Sequence, residues 1–256
     1  MTTGPDGVNG GAHEEPILIT PDMLAPPTPP PPRRVAAKVS DGRVDFERGM
    51  RHFPPLIIAL ILANVAVFVW EVSAGAFAPM GSTGPDPANP VMAGALIRER
   101  VLAGEWWRMI TATFLHGGPD HLIGNMVALF IVGMACEHAF GAPRTAAIYF
   151  GSGLAGTAFS LATGPGPSVG ASGAIFGVLM AVVVMLYRNQ KYFFVRDKRI
   201  GFVLAAWAGW QLFVGFMSPF IDNFAHLGGM TGGAIAALLL TPTLARREGV
   251  VRLPAP

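Results

Sequence analysis

Hydrophobic positions in this chain fall in long unbroken runs rather than in strict alternation with polar ones. From Pro54 to about Trp70 almost every residue is apolar, and five more runs follow, roughly His121 to Glu137, Thr145 to Thr163, Ser172 to Tyr187, Ile200 to Met217 and Asn223 to Thr241. Each approaches the ~20 residues that a helix needs to cross ~30 Å of hydrocarbon, so the pattern predicts an all-α polytopic membrane protein with six transmembrane helices. Glu71 is read as the end of the first helix. The connection after it is long: loop-like from Gly75 to Pro90, helical from Val91 to Leu102, and leading to Trp106-Trp107-Arg108. Adjacent tryptophans suit the membrane–water boundary, where a ring is half buried and its N–H hydrated. A first external loop of this length points to a function.

Composition agrees with the pattern. With 52% hydrophobic and 13% charged residues, the chain carries too much apolar surface for a soluble domain of 256 residues. Residues 1–50 hold Pro26-Pro27 and the run Pro29 to Pro32, a composition that predicts a disordered, proline-rich tail. The membrane domain is then 51–246, with a short tail over 247–256. Nothing in the first thirty residues reads as a signal peptide. The single Cys136 excludes an intramolecular disulfide and reads as a buried thiol.

The net charge of +2 says little, but the placement of the cations says more. Six spans leave both termini on one side. Taking that side as cytoplasmic puts fifteen of the 18 basic residues inside, against Arg98, Arg100 and Arg108 outside. The positive-inside bias therefore orients an integral, multi-pass protein of the cell's inner or plasma membrane.

Three polar positions share one depth. Ser172 stands sixteen residues before Arg188, His226 sixteen before Pro242, and His121 sixteen before Glu137. At 1.5 Å per residue that is ~24 Å above the inner end of each helix. Asn125 lies one turn below His121 on the same face. Such groups are costly in lipid and usually face one another around a wet cavity. Together they supply the roles acyl transfer needs: a nucleophile, a base with a pKa near neutrality, and donors to an oxyanion.

The stretch Gly170-Ala171-Ser172-Gly173-Ala174-Ile175-Phe176-Gly177 sets the serine at the start of an apolar helix, where backbone N–H groups point outward. Gly173 and Gly177 are also spaced for close helix packing, and Ala174 breaks the soluble hydrolase elbow G-x-S-x-G. The aspartates lie in tails, loops or helix ends, which excludes a buried aspartyl pair. His116, His121 and His226 have no HExxH or cysteine cluster beside them to suggest a metal.

Read in order, Trp107-Arg108, His116, His121, Asn125, Glu137, Gly170 to Gly177, Asn223, Ala225-His226, Gly229 and Gly233 resemble the motifs of rhomboid intramembrane serine proteases, over roughly residues 51 to 243. The resemblance implies a Ser172–His226 dyad without a catalytic aspartate. It also implies an oxyanion site made by His121, Asn125 and the Ser172 N–H, and Phe176 stacked on His226. Gly170, Gly229 and Gly233 would support the site, the last two by letting the last helix approach the serine helix. Asp222 is read as a surface charge and Arg108 as an anchor for the long loop. The implied activity is hydrolysis of peptide bonds in or near transmembrane segments, without cofactor or metal. The expected partners are transmembrane protein substrates and the bilayer, not nucleic acid. A rhomboid-like pseudoprotease that binds helices without cleavage is the alternative, and a transporter or channel using the same cavity is a third reading.

Overall fold

The computed structural model describes Phe46, Met50 and residues 53–77, 89–163, 166–193, 195–218 and 221–243. The expectations for the remainder of the 1–50 tail, for the 247–256 tail and for the cations within them lie outside the described residues.

The helices, in chain order, are α1 (Pro55–Ser73), α2 (Pro90–Gly94), α3 (Arg98–Leu102), α4 (Arg108–Thr111), α5 (Pro119–Phe140), α6 (Ala142–Thr163), α7 (Ser172–Arg188), α8 (Val195–Phe216) and α9 (Asn223–Leu239). Six are long, and they coincide with the six apolar runs. By length and composition α1, α5 and the Lys198–Phe216 part of α8 can cross a membrane, and α7 is a shorter apolar helix. Apolar side chains such as Leu62, Val69, Phe130, Ile131, Phe213 and Leu239 stand exposed on the outside, as expected where lipid replaces water. Among the described residues the one β feature is an isolated antiparallel bridge between Leu96 and Ser168.

Helix ends follow local chemistry. Pro55 opens α1, where its missing N–H costs nothing, and the Glu137 carboxylate of α5 accepts from the Leu56 and Ile57 N–H groups at 3.3 and 3.0 Å. Gly141, at φ +77°, ends α5 in a conformation that side-chain-bearing residues avoid, and so lets α6 start at once. Asp222 caps α9 by accepting from Ala225 N–H at 2.9 Å.

Helix α7 runs through the centre and is buried on most of its surface, with α9, α6, α5 and α8 around it. Small residues set the spacing. A methyl group at Gly229 would overlap the Gly173 carbonyl, one at Gly233 the Gly177 carbonyl, and one at Gly177 the Ser152 side chain. In a bilayer, where water does not drive helices together, such backbone contact supplies the packing attraction.

Four details differ from the sequence reading. Helix α1 continues through Glu71 to Ser73, and Glu71 is buried rather than terminal. The Val91–Leu102 stretch is two short helices, because Ala95 to Ile97 turns extended to make the Leu96–Ser168 bridge. Asp222 is no free surface charge, since besides its capping bond it accepts from Ser160 Oγ at 2.5 Å, which ties α6 to α9. Phe46 is buried, edge-to-face with Phe193 at 6.0 Å, so contacts with the helical core begin before residue 51.

Candidate active site

Ser172 is the first residue of α7, and its position is fixed from outside that helix. The preceding loop is held by Leu96 and Ser168, which exchange N–H···O bonds at 3.0 and 3.1 Å, and by Gly170 N–H donating to the Ala112 carbonyl at 2.8 Å. The long first connection is thus the clamp on the serine loop. Arg108 holds that connection together: buried, it donates to the carbonyls of Met92 and Ala95 at 3.0 and 2.8 Å and pairs with Glu105. The anchoring role expected of it is the one its contacts describe. Trp106 and Trp107 stay exposed, as boundary residues do.

Helix α9 brings His226 to the serine. Its Nε2 lies 2.8 Å from Ser172 Oγ. The imidazole stacks on Phe176, with centroids 4.3 Å apart and planes 22° apart, and Phe176 stacks in turn on Trp207 of α8. On the other side of the ring, Nδ1 lies 3.3 Å from Asn223 Oδ1. The Asn223 amide has only one workable orientation, because its Nδ2 donates to the Leu212 carbonyl at 2.9 Å. An oxygen therefore faces Nδ1, which assigns the proton to Nδ1 and leaves the Nε2 lone pair for the serine hydroxyl. Asn223 was noted in the sequence only as part of a motif. Its spacing three residues before His226, on the same helical face, is the signal that could have given it this role.

The remaining polar groups meet beside Gly170. His121 Nδ1 accepts from Gly117 N–H at 3.4 Å, which makes Nε2 the donor nitrogen. A Cβ placed on Gly170 would lie 2.9 Å from that Nε2 and 3.7 Å from Asn125 Nδ2, so both donors converge beside the loop two residues before the serine. Glycine is required there twice over: by this crowding and by a φ of +129°. Asn125 is buried, and its Nδ2 has no protein acceptor. The N–H of Ser172, in the first turn of α7, has no intrahelical partner either. His116 packs edge-on against His121 at 5.2 Å. Burial, with His121 adding to it, pulls the His116 imidazole down to about 4, against a smaller upward pull from the Phe114 carbonyl.

Ser172, His226, Phe176, His121, Asn125 and Gly170 border one cavity of about 920 Å³, lined on the α8 side by Trp207 and Gln211. Of the residues singled out in the sequence, Ser172, His226, His121, Asn125, Phe176 and Gly170 come together around it. Gly229 and Gly233 lie below, at the α7–α9 contact. No cluster of three or more potential metal ligands occurs among the described residues.

Fold and site define a class: a helical membrane protein with a serine–histidine contact opening on a cavity that is lined in part by polar groups. The chain belongs to the rhomboid family, with residues 103–243 matching the Rhomboid domain. It is 37% identical over 195 residues to Rhomboid protease GluP of Bacillus subtilis (strain 168), covering 76% of this chain and 36% of that protein. It is 34% identical over 206 residues to RHOMBOID-like protein 1 of Arabidopsis thaliana, covering 71% of this chain and 52% of that one. It is 32% identical over 217 residues to Rhomboid protease AarA of Providencia stuartii, covering 72% and 71%. The chain thus spans about a third of the first of these relatives and about half of the second.

Proposed function

We propose that this chain is an intramembrane serine endopeptidase that hydrolyses peptide bonds in or near the transmembrane segments of other membrane proteins. The observation that carries the reading is the 2.8 Å contact between Ser172 Oγ and His226 Nε2, with the imidazole tautomer set by Asn223. The family relationship supports it, since GluP and AarA are both named rhomboid proteases. In this reading all six long helices cross the bilayer as a domain over residues 51–246. Both tails lie on the cytoplasmic side, where most of the cations are.

The chemistry follows from the geometry. Ser172 Oγ attacks the scissile carbonyl carbon while its proton passes to His226 Nε2, and the Asn223 oxygen stabilises the imidazolium through Nδ1–H. The carbonyl oxygen, now negative, is met by His121 Nε2–H and Asn125 Nδ2–H, which converge beside Gly170, and by the Ser172 N–H at the start of α7. Collapse of the tetrahedral adduct expels the amine, which takes the proton from His226. Water from the cavity then enters through the same base to release the acyl group. No step calls on a cofactor or a metal. The substrate must present a carbonyl free of its helical i to i−4 bond, so a segment that unwinds easily near its outer end is preferred.

The test is phosphonylation of Ser172 by a fluorophosphonate, in which an Oγ–P bond forms and fluoride leaves. Labelling of the parent chain, loss of labelling in Ser172→Ala and His226→Ala, and a double variant no worse than either single one are expected, because residues acting as a unit are non-additive. Cleavage of a single-span protein by folded Ser172→Ala would refute the assignment.

A further inference from the structure

We infer that Glu71, near the C-terminal end of α1, is a positioning residue for the oxyanion donor His121 and acts through the turn His116–Gly118. The inference rests on the reading of Ser172 and His226 as the reacting pair. Glu71 is completely buried, and its Oε1 accepts from the His116 peptide N–H at 3.1 Å, across 45 residues of chain. Its Oε2 is buried too, without a protein partner. A carboxyl group so placed costs free energy that a leucine would not, so hydrophobic packing does not account for it.

Its one bond lands at an informative place. The His116 N–H points at Glu71, and the next N–H along the chain, that of Gly117, points at His121 Nδ1. The same turn places the His116 ring edge-on against the His121 ring, and the His116 ring is itself held by Nδ1–H donating to the Phe114 carbonyl at 3.2 Å. Two consecutive peptide groups thus link a buried acid on α1 to the imidazole whose Nε2–H faces the space beside Gly170. If the turn drifts, the Gly117 bond goes first. It is long at 3.4 Å, and without it His121 is free to take the other tautomer, with no proton on Nε2. Arg108 and the Leu96–Ser168 bridge hold the first connection to the serine loop, whereas Glu71 holds it to the oxyanion side.

The experiment uses the full chain in detergent and reads the second-order rate of Ser172 phosphonylation by a fluorophosphonate, whose P=O oxygen occupies the oxyanion position, with thermal unfolding measured in parallel. Glu71→Gln retains an oxygen for the His116 N–H and should label within about threefold of the parent. Glu71→Leu should label about 30-fold more slowly, the scale on which a small misplacement of a reacting group acts. In a His121→Ala background the Glu71→Leu change should add less than about threefold, because the group it positions is gone. An equal loss in both backgrounds, or no loss in either, overturns the inference. If Glu71→Leu does not fold, Glu71→Asp, whose shorter carboxyl cannot reach the turn, carries the same comparison; failure of both to fold also overturns it, since Glu71 would then be needed for folding alone. No labelling of the parent chain would instead refute the proposed function.

Discussion

Asn125→Ala should separate catalysis from stability, because the structure makes the two effects unequal. In the folded chain Asn125 is 8% exposed and its Nδ2 has no protein acceptor. Leaving a buried donor unmade costs about 1–3 kcal/mol, so truncation removes that penalty even as it removes packing around the amide. The two contributions oppose, and the net change in stability should stay within about 1 kcal/mol. The transition state is different. On the proposed function the amide there meets a developing negative charge in a site of low dielectric, and loss of one such donor should lower kcat by about 10²-fold, roughly 3 kcal/mol. The assay is kcat on a single-span protein reconstituted with the enzyme in vesicles, with thermal unfolding followed on the same preparation. Phosphonylation of Ser172 should persist, only more slowly. A normal kcat, or a loss of activity matched by a loss of folded protein, would refute the reasoning and leave Asn125 a packing group.

Asn223→Ala removes the acceptor for His226 Nδ1–H and should lower kcat by about 10–10²-fold with little change in KM, a part of the roughly 10²–10⁴-fold that a positioned general base contributes; an unchanged kcat would show that the tautomer is set elsewhere. Gly233→Ala places a methyl group on the Gly177 carbonyl and should destabilise the chain by about 1–3 kcal/mol through forced separation of α7 and α9, whereas Ala at Gly151, beside which nothing lies within 4 Å, should be neutral in the same unfolding measurement. His116 makes stability pH-dependent. The unfolded chain protonates it near 6.5 and the folded one only near 4, so the unfolded state binds more protons in that window and stability falls as pH drops through it. The full interval corresponds to roughly 3 kcal/mol, and unfolding midpoints compared at about pH 7 and about pH 4.5 should differ less in His116→Phe than in the parent.

The six apolar runs predict the six long helices to within a few residues at each end, since in a membrane an uninterrupted apolar stretch has no other way to satisfy its backbone. Ser172, His226, His121 and Asn125 do meet at one cavity, although α7, α9 and α5 run sixteen, thirteen and nineteen residues from Ser172, His226 and His121 to their last residues, so the expected equal spacing holds only to within about a turn. Helical rise is constant, so depth can be counted along a sequence. The stack of Phe176 on His226 came from the rhomboid resemblance rather than from the helical pattern, and the two rings do lie 4.3 Å apart. What could not be read is what depends on a partner distant in the chain. Glu71 looks like a charge that ends a helix until His116, 45 residues on, supplies the N–H it accepts. Asp222 looks like a surface charge until Ser160 arrives from α6. Glu137 reads as the inner end of its helix until α1 presents its free N–H groups. These are all carboxylates, and the reason is common to them. An apolar residue is content with any apolar neighbour, so its environment follows from periodicity alone, whereas a buried acid needs one particular donor that only the tertiary fold identifies. For a chain of this kind, an acid that is buried within or at the end of an apolar run therefore marks a long-range tie, and locating its donor is the step that converts a list of spans into a positioned site.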